Sequence, residues 1–469
     1  MTTPDRFDAI RDHIRAQLVE RALPSLAVAV VEGGRIVWEE GFGWADRERR
    51  TRADAHTPYS LASITKPLTA TALMILARAG KLDLDKPAND YLGAAKLLGR
   101  AGDARHATVR RIANHSAGLP LHYQFFYADE PWQRPSMDET ILRYGNLVTA
   151  PGARYQYSNL GYGVLDAVIA RTAGRDYAEV MRREVFQPLG MTRSSIGVGP
   201  GLEAYAATRY GADGAPIPYY VTDHPGASEA YASAHDLARF ALFHLKARLA
   251  DQKQILPDEA LDEMQRGSMR TGPNDSYAIG FMDDMRDAHR MVSHSGGMGG
   301  VSTQLRIFPG QGAATVVLGN ASNPLPYEVS ERLAALLLPG WRSVDLAPPP
   351  SPPPFKPPRG LLGTWRGTLA TYAGDKPVEL TFHRDGDVHA RFGRQLVALV
   401  NSPRIEGDLF AGELRASIGT PDTSRFLNYV QLSLTVSRGR LTGAATAIDQ
   451  DTPRVRNALS HWIELARER

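Results

Sequence analysis

The chain has 469 residues, 43% hydrophobic and 22% charged, an ordinary globular composition long enough for two or three domains. Its 54 basic and 51 acidic side chains leave a net charge of +3, too small an imbalance to argue for nucleic acid or an anionic membrane as partner. There are no cysteines, which excludes disulfides, thiolate metal sites and cysteine nucleophiles.

The first 24 residues carry charges throughout and lack an apolar h-region, so no signal peptide is expected. No run approaches the roughly 18 apolar residues of a membrane span. A cytoplasmic protein is expected, or a periplasmic or secreted one if a leader has been removed. Residues 5–20 place Phe7, Ile10, Ile14 and Leu18 at helical spacing. Residues 26–31 and 35–40 are strand-like and meet across Gly33-Gly34, a hairpin signal. Residues 68–79 form an apolar helix ending near Gly80. A long, mainly helical region covers about 82–269, with the aromatic-rich loop 121–135 expected to wall a pocket. Strands return at 277–282, 291–295, 301–308 and 313–319, the last two flanking the turn cluster Pro309-Gly-Gln-Gly312. Strands from both chain ends around a helical insertion predict an α/β fold: one antiparallel sheet flanked by helices, with a mainly helical subdomain. Residues 347–358, APPPSPPPFKPP, cannot form helix or sheet interior and read as a linker. The expected catalytic domain is therefore 1–346. Short strands at 363–369, 378–383, 388–392, 429–436, 441–447 and 461–465 predict a small all-β barrel or sandwich over 359–469.

Three short motifs carry chemistry. In Ser63-Ile-Thr-Lys66, a helix beginning at the serine puts Lys66 one turn later on the same face. The free N–H groups at that terminus would stabilise a developing anion. A serine hydroxyl needs a base, and a lysine serves once burial or a nearby cation lowers its pKa. Tyr157-Ser-Asn159 offers a phenol to shuttle a proton and an amide to hold both Lys66 and a substrate oxygen. His294-Ser295-Gly296-Gly297 ends a strand, whose glycines permit close backbone approach and whose edge would bind substrate backbone and complete an oxyanion hole. His115 and His122 flank a loop without paired-histidine spacing on a helix, so no metal and no cofactor are expected.

In order, spacing and context these motifs resemble the serine β-lactamase and penicillin-binding-protein superfamily, whose Ser-x-x-Lys set is well defined. The resemblance covers most of residues 5–340 and includes Asn114-His-Ser-Ala-Gly-Leu-Pro120 and Pro188-Leu-Gly-Met191. Tyr157 in the second motif matches the class C-like branch of esterases, D-aminopeptidases and β-lactamases. It implies Ser63 as nucleophile, Lys66 as its base, Tyr157 as general acid/base and Asn159 as orienting group. The N–H groups of Ser63 and Gly297 would form the oxyanion hole. His294 stands where many members have a lysine, and a largely neutral histidine is poorly suited to a substrate carboxylate. The expected function is hydrolysis of small esters or peptides through an acyl-enzyme. Acyl transfer or peptide cyclisation by the same residues, and a non-catalytic peptide sensor, are the alternatives. The barrel, through Gly363-x-Trp365, resembles the lipocalin-like domain of several members. The partner expected is a small ester or peptide; the oligomeric state is left open.

Overall fold

The computed structural model describes residues 5–199, 201–344, 354–450, 454 and 457–468. Most of the expected linker lies outside these, and its residues 354–358 form neither helix nor strand.

The run Ser25–Glu32 is apolar on both faces because both are covered. Val28 and Val30 pack with Ile10, Ile14 and Leu18 of the Asp8–Glu20 helix and with Val329 and Leu333 of the Leu325–Leu337 helix. Ala27, Ala29 and Val31 face the other way, into the main core with Leu237 and Phe240 of the Ala234–His244 helix. Period-two side-chain alternation thus feeds two helical layers from one strand. That strand is third from one edge of a nine-stranded antiparallel sheet. The strands beside it are Arg35–Asp46 from the same chain end and Ala313–Gly319 from near residue 319. Val301–Phe308 and His289–Met298 follow outward. Strands from before and after the helical region therefore build one sheet, with that region inserted between them.

The expected strand at 277–282 is instead a hairpin, Asp275–Tyr277 against Met282–Arg286. Gly280, at φ +86°, turns the chain, and the Ala278 N–H donates to Phe281 O at 2.7 Å. The next reversal uses Asp287 and Ala288, both at positive φ, without the Asn-Gly signature that marks such turns in a sequence.

Residues 363–467 form a second nine-stranded antiparallel sheet around Trp365, Leu369, Phe382, Phe392 and Phe410. Its two outermost strands, Ala398–Leu399 and Asn401–Glu406, are separated only by Val400, so the sheet curls into a nearly closed barrel. Asn401–Glu406 carries no sequence signal, being largely polar, mostly exposed and interrupted by Pro403, whereas Leu409–Leu414 is mostly buried but was not among the expected strands. The barrel grips the catalytic half along one seam. Tyr123 and Ala458 exchange backbone hydrogen bonds of 3.0 and 2.8 Å. Asn457 Oδ1 accepts from the Phe125 N–H at 2.7 Å, and Asp422 accepts from the Tyr144 and Tyr372 hydroxyls at 2.7 Å each.

Candidate active site

Ser63 does not open the long helix itself. It sits in a single tight turn, Ala62–Ile64, that leads directly into the Thr65–Arg78 helix. Ala62 is held at φ +48°, a costly conformation for a residue with a side chain. The turn is pressed against the His289–Met298 strand at Gly296, where a Cβ would lie 2.1 Å from Leu61 O and 2.3 Å from Thr303 Oγ1. Only glycine allows this approach.

Lys66, one turn on, is fully buried and has no carboxylate partner among the described residues. Its Nζ lies 2.8 Å from Asn159 Oδ1, 3.1 Å from Ala227 O and 3.0 Å from Ser63 Oγ. Burial pushes its pKa well below the usual lysine range. The geometry suits the free amine. Two of its contacts, Asn159 Oδ1 and Ala227 O, only accept, and they use the two N–H bonds; the lone pair then faces the Ser63 hydroxyl. From the other side the Tyr157 hydroxyl donates to Ser63 Oγ at 2.9 Å. Burial raises the Tyr157 pKa, so the phenol keeps its proton. The Lys66 Nζ also lies 4.7 Å from the Tyr157 ring centroid.

Tyr157 and Asn159 are fixed by the residue between them. Ser158 caps the Asn159–Ala173 helix, its hydroxyl accepting from the Gly161 N–H at 3.1 Å. Its own N–H donates to His115 Nδ1 at 3.1 Å. The His115 ring packs against Tyr157 and Tyr277, 4.3 and 4.5 Å between centroids. His115 is thus a structural support for the second motif.

His294 is buried with both ring nitrogens engaged. Nδ1 is 2.7 Å from Ser295 O, which must accept, so Nδ1 carries the hydrogen. Nε2 then accepts from the Tyr277 hydroxyl at 2.9 Å. Burial lowers the His294 pKa to about 3. The ring is neutral and offers no cation to a carboxylate.

A cavity of about 450 Å³ opens over Ser63. Tyr157, Asn159 and Gly297 line it; His294 and Gly296 are buried, Ser295 is exposed, and none of these three is part of the lining. Of the 121–135 loop, Leu121, Tyr123 and Phe125 reach the cavity. Phe126 instead turns to the barrel, with the Arg425 guanidinium 4.9 Å from its ring centroid. Arg454 of the barrel also lines the cavity, paired with Asp129 and Glu130. Sequence reasoning missed Tyr277, Ala227, His224 and Arg454, none of which belongs to a motif of fixed spacing.

Protein flp of Staphylococcus aureus (strain N315) is 25% identical over 337 residues, 71% of this chain and 66% of flp, so the chain spans a little under two thirds of that relative. Unguisins hydrolase ungD' of Aspergillus campestris is 26% identical over 374 residues, 74% of this chain and 68% of its own. The octameric penicillin-binding protein homologue from Pyrococcus abyssi shares the fold, with TM-score 0.62 at 23% identity, covering 96% of this chain and 99% of that one. Residues 10–339, most of the chain, match the family model described as Beta-lactamase, and the protein belongs to that family of serine hydrolases.

Proposed function

We propose that the protein hydrolyses small esters or amides, including peptides, through an acyl-enzyme at Ser63. The observation that carries this reading is the hydrogen-bond order at Ser63 Oγ, which meets the lone pair of a buried amine and the hydroxyl of Tyr157 beside an open cavity. Ser63 Oγ attacks the carbonyl carbon as Lys66 takes its proton. The carbonyl electron pair moves onto oxygen, held by the N–H groups of Ser63 and Gly297. As the intermediate collapses, Tyr157 delivers a proton to the leaving group and recovers one from Lys66. Water then releases the acid and restores Ser63.

One feature favours an extended acyl group. The outer side of the His289–Met298 strand is paired by the Met282–Arg286 strand only as far as Ser293. The stretch beyond it, Gly297 to Gly300, borders the cavity and has backbone to offer a substrate chain. The neutral His294 favours uncharged acyl groups over those bearing a carboxylate at that point.

The test is p-nitrophenol release from p-nitrophenyl butyrate in the first turnover. The wild type should give a Ser63-dependent burst matching the enzyme concentration. Ser63→Ala should lower turnover by about 1,000-fold or more with its fold unchanged. Residual activity within a fewfold of wild type would remove Ser63 from the role.

A further inference from the structure

The same cavity is lined by one member of a second polar assembly that the scheme above does not use. Asp223 is completely buried, and each of its carboxylate oxygens meets one imidazole. Oδ2 is 2.7 Å from His122 Nε2, and Oδ1 is 2.7 Å from His224 Nδ1. Burial alone would raise the Asp223 pKa, but the two imidazoles outweigh it and hold the carboxylate below its usual range. A carboxylate only accepts, so both bonded ring nitrogens carry hydrogen. The outer nitrogen of His122, Nδ1, is sealed off without a partner. The outer nitrogen of His224, Nε2, is not sealed off and has no protein hydrogen bond among the described residues; His224 lines the cavity with Ser63, Tyr157 and Asn159.

His224 is also tied mechanically to the nucleophile's base. Its carbonyl accepts from the Ala227 N–H at 2.9 Å, opening the Pro225–Ser228 turn, and Ala227 O is one of the acceptors of Lys66. Gly163 lets the ring's backbone sit close, since a Cβ there would come within 3.0 Å of His224 Cβ. Burial holds the His224 pKa below the usual histidine value against the pull of Asp223. The ring is therefore neutral near pH 7, with a lone pair on Nε2.

We propose that His224 is the base for the second half of the reaction, with Asp223 as its positioning residue and His122 backing the carboxylate. This rests on the acyl-enzyme reading given above. His224 Nε2 takes a proton from the incoming water, or from an amine acceptor, as that oxygen or nitrogen bonds to the acyl carbon. The carbonyl electron pair moves to oxygen and returns as the bond to Ser63 Oγ breaks. Ser63 leaves with a proton supplied from the Lys66–Tyr157 side, and the proton held by His224 returns to that pair through solvent, so that every group ends as it began. Division of labour follows: Lys66 serves acylation, His224 serves deacylation. A buried His-Asp-His set also invites a metal. Here, however, each carboxylate oxygen is already used by one imidazole at hydrogen-bond distance.

The experiment is quench-flow with p-nitrophenyl butyrate, following p-nitrophenol and the mass of the acylated chain together, for wild type, Ser63→Ala, His224→Gln and Asp223→Asn. The expected result is stoichiometric first-turnover release at the wild-type rate in both dyad variants. Decay of the acyl-enzyme should be about 100-fold slower or more. Hydroxylamine, which needs little help in losing a proton, should restore decay in His224→Gln; a packing defect would not respond to it. Decay within threefold of wild type in His224→Gln overturns the proposal. So does equal loss of acylation and deacylation in both variants, which would place the dyad in the fold or in Ser63 activation. Decay abolished by a chelator and restored by zinc would overturn it in favour of a metal site. If wild type and Ser63→Ala release p-nitrophenol alike, the acyl-enzyme reading itself has failed.

Discussion

Lys66 meets three oxygens, and two of them can only accept, so its protonation state decides whether Ser63 has a base. As pH falls through its lowered pKa, the lone pair is lost and acylation slows. The first-turnover rate should therefore fall about tenfold per pH unit below that midpoint. It should lie on a plateau well below pH 10.5, the ordinary lysine value. Tyr157 adds no alkaline decline near neutrality, because burial moves its ionisation upward. Stopped-flow rates of release against pH check this, and a rate that climbs only near the ordinary lysine value would refute it. Ser63, Lys66, Tyr157 and Asn159 were readable as a cluster because each lies in a short motif whose spacing is fixed by a turn or helix. His224 and Asp223 were not. Their placement depends on the pairing of Phe125–Tyr127 with Tyr220–Thr222, a contact between loops about a hundred residues apart that leaves no local pattern.

At the level of elements, the Ala62–Ile64 turn that carries Ser63 and the His289–Met298 strand meet through Gly296, while Gly297 has open space where a side chain would stand. Two neighbouring glycines should therefore respond very differently. Gly296→Ala must push the strand from Leu61 O and Thr303. A displacement near 1 Å should cut kcat by about 100-fold while the fold persists. Gly297→Ala keeps its backbone N–H and its room, and should stay within a fewfold of wild type. Steady-state kinetics on the two variants decide the matter, and equal effects would discard the close-approach account. The sequence showed both as glycines after a strand but could not rank them, since the difference lies in what packs above each. The hairpin at 275–286 was missed for a similar reason. Its turn is set by Gly280 against the nucleophile helix, where a Cβ would fall 2.7 Å from Ala70 Cβ.

For the molecule as a whole, the main sheet was legible because its inner strands Ser25–Glu32 and Ala313–Gly319 are buried on both faces and read as unbroken apolar runs. The barrel was legible only in its well-buried strands. Its polar closing strands, and its contribution to the cavity, depend on tertiary contacts. That contribution is specific. The segment Tyr123–Phe125 lines the cavity and is held by backbone and side-chain bonds from Asn457 and Ala458, while Arg454 adds to the lining. The barrel therefore shapes the site as well as packing against it.

This seam also bears on how the protein reaches its active form. Ser460 Oγ bonds to Leu121 O across 339 residues of sequence, and contacts so distant in the chain form late because their loop-closure cost must be met first. The catalytic half can collapse on its own apolar core, and the barrel on its own, before the two dock. The cavity wall is completed only at docking. After dilution from denaturant, tryptophan fluorescence should recover first and esterase activity should return in a slower phase. Activity that regains its full value in step with the fluorescence would mean that the wall stands without the barrel's grip.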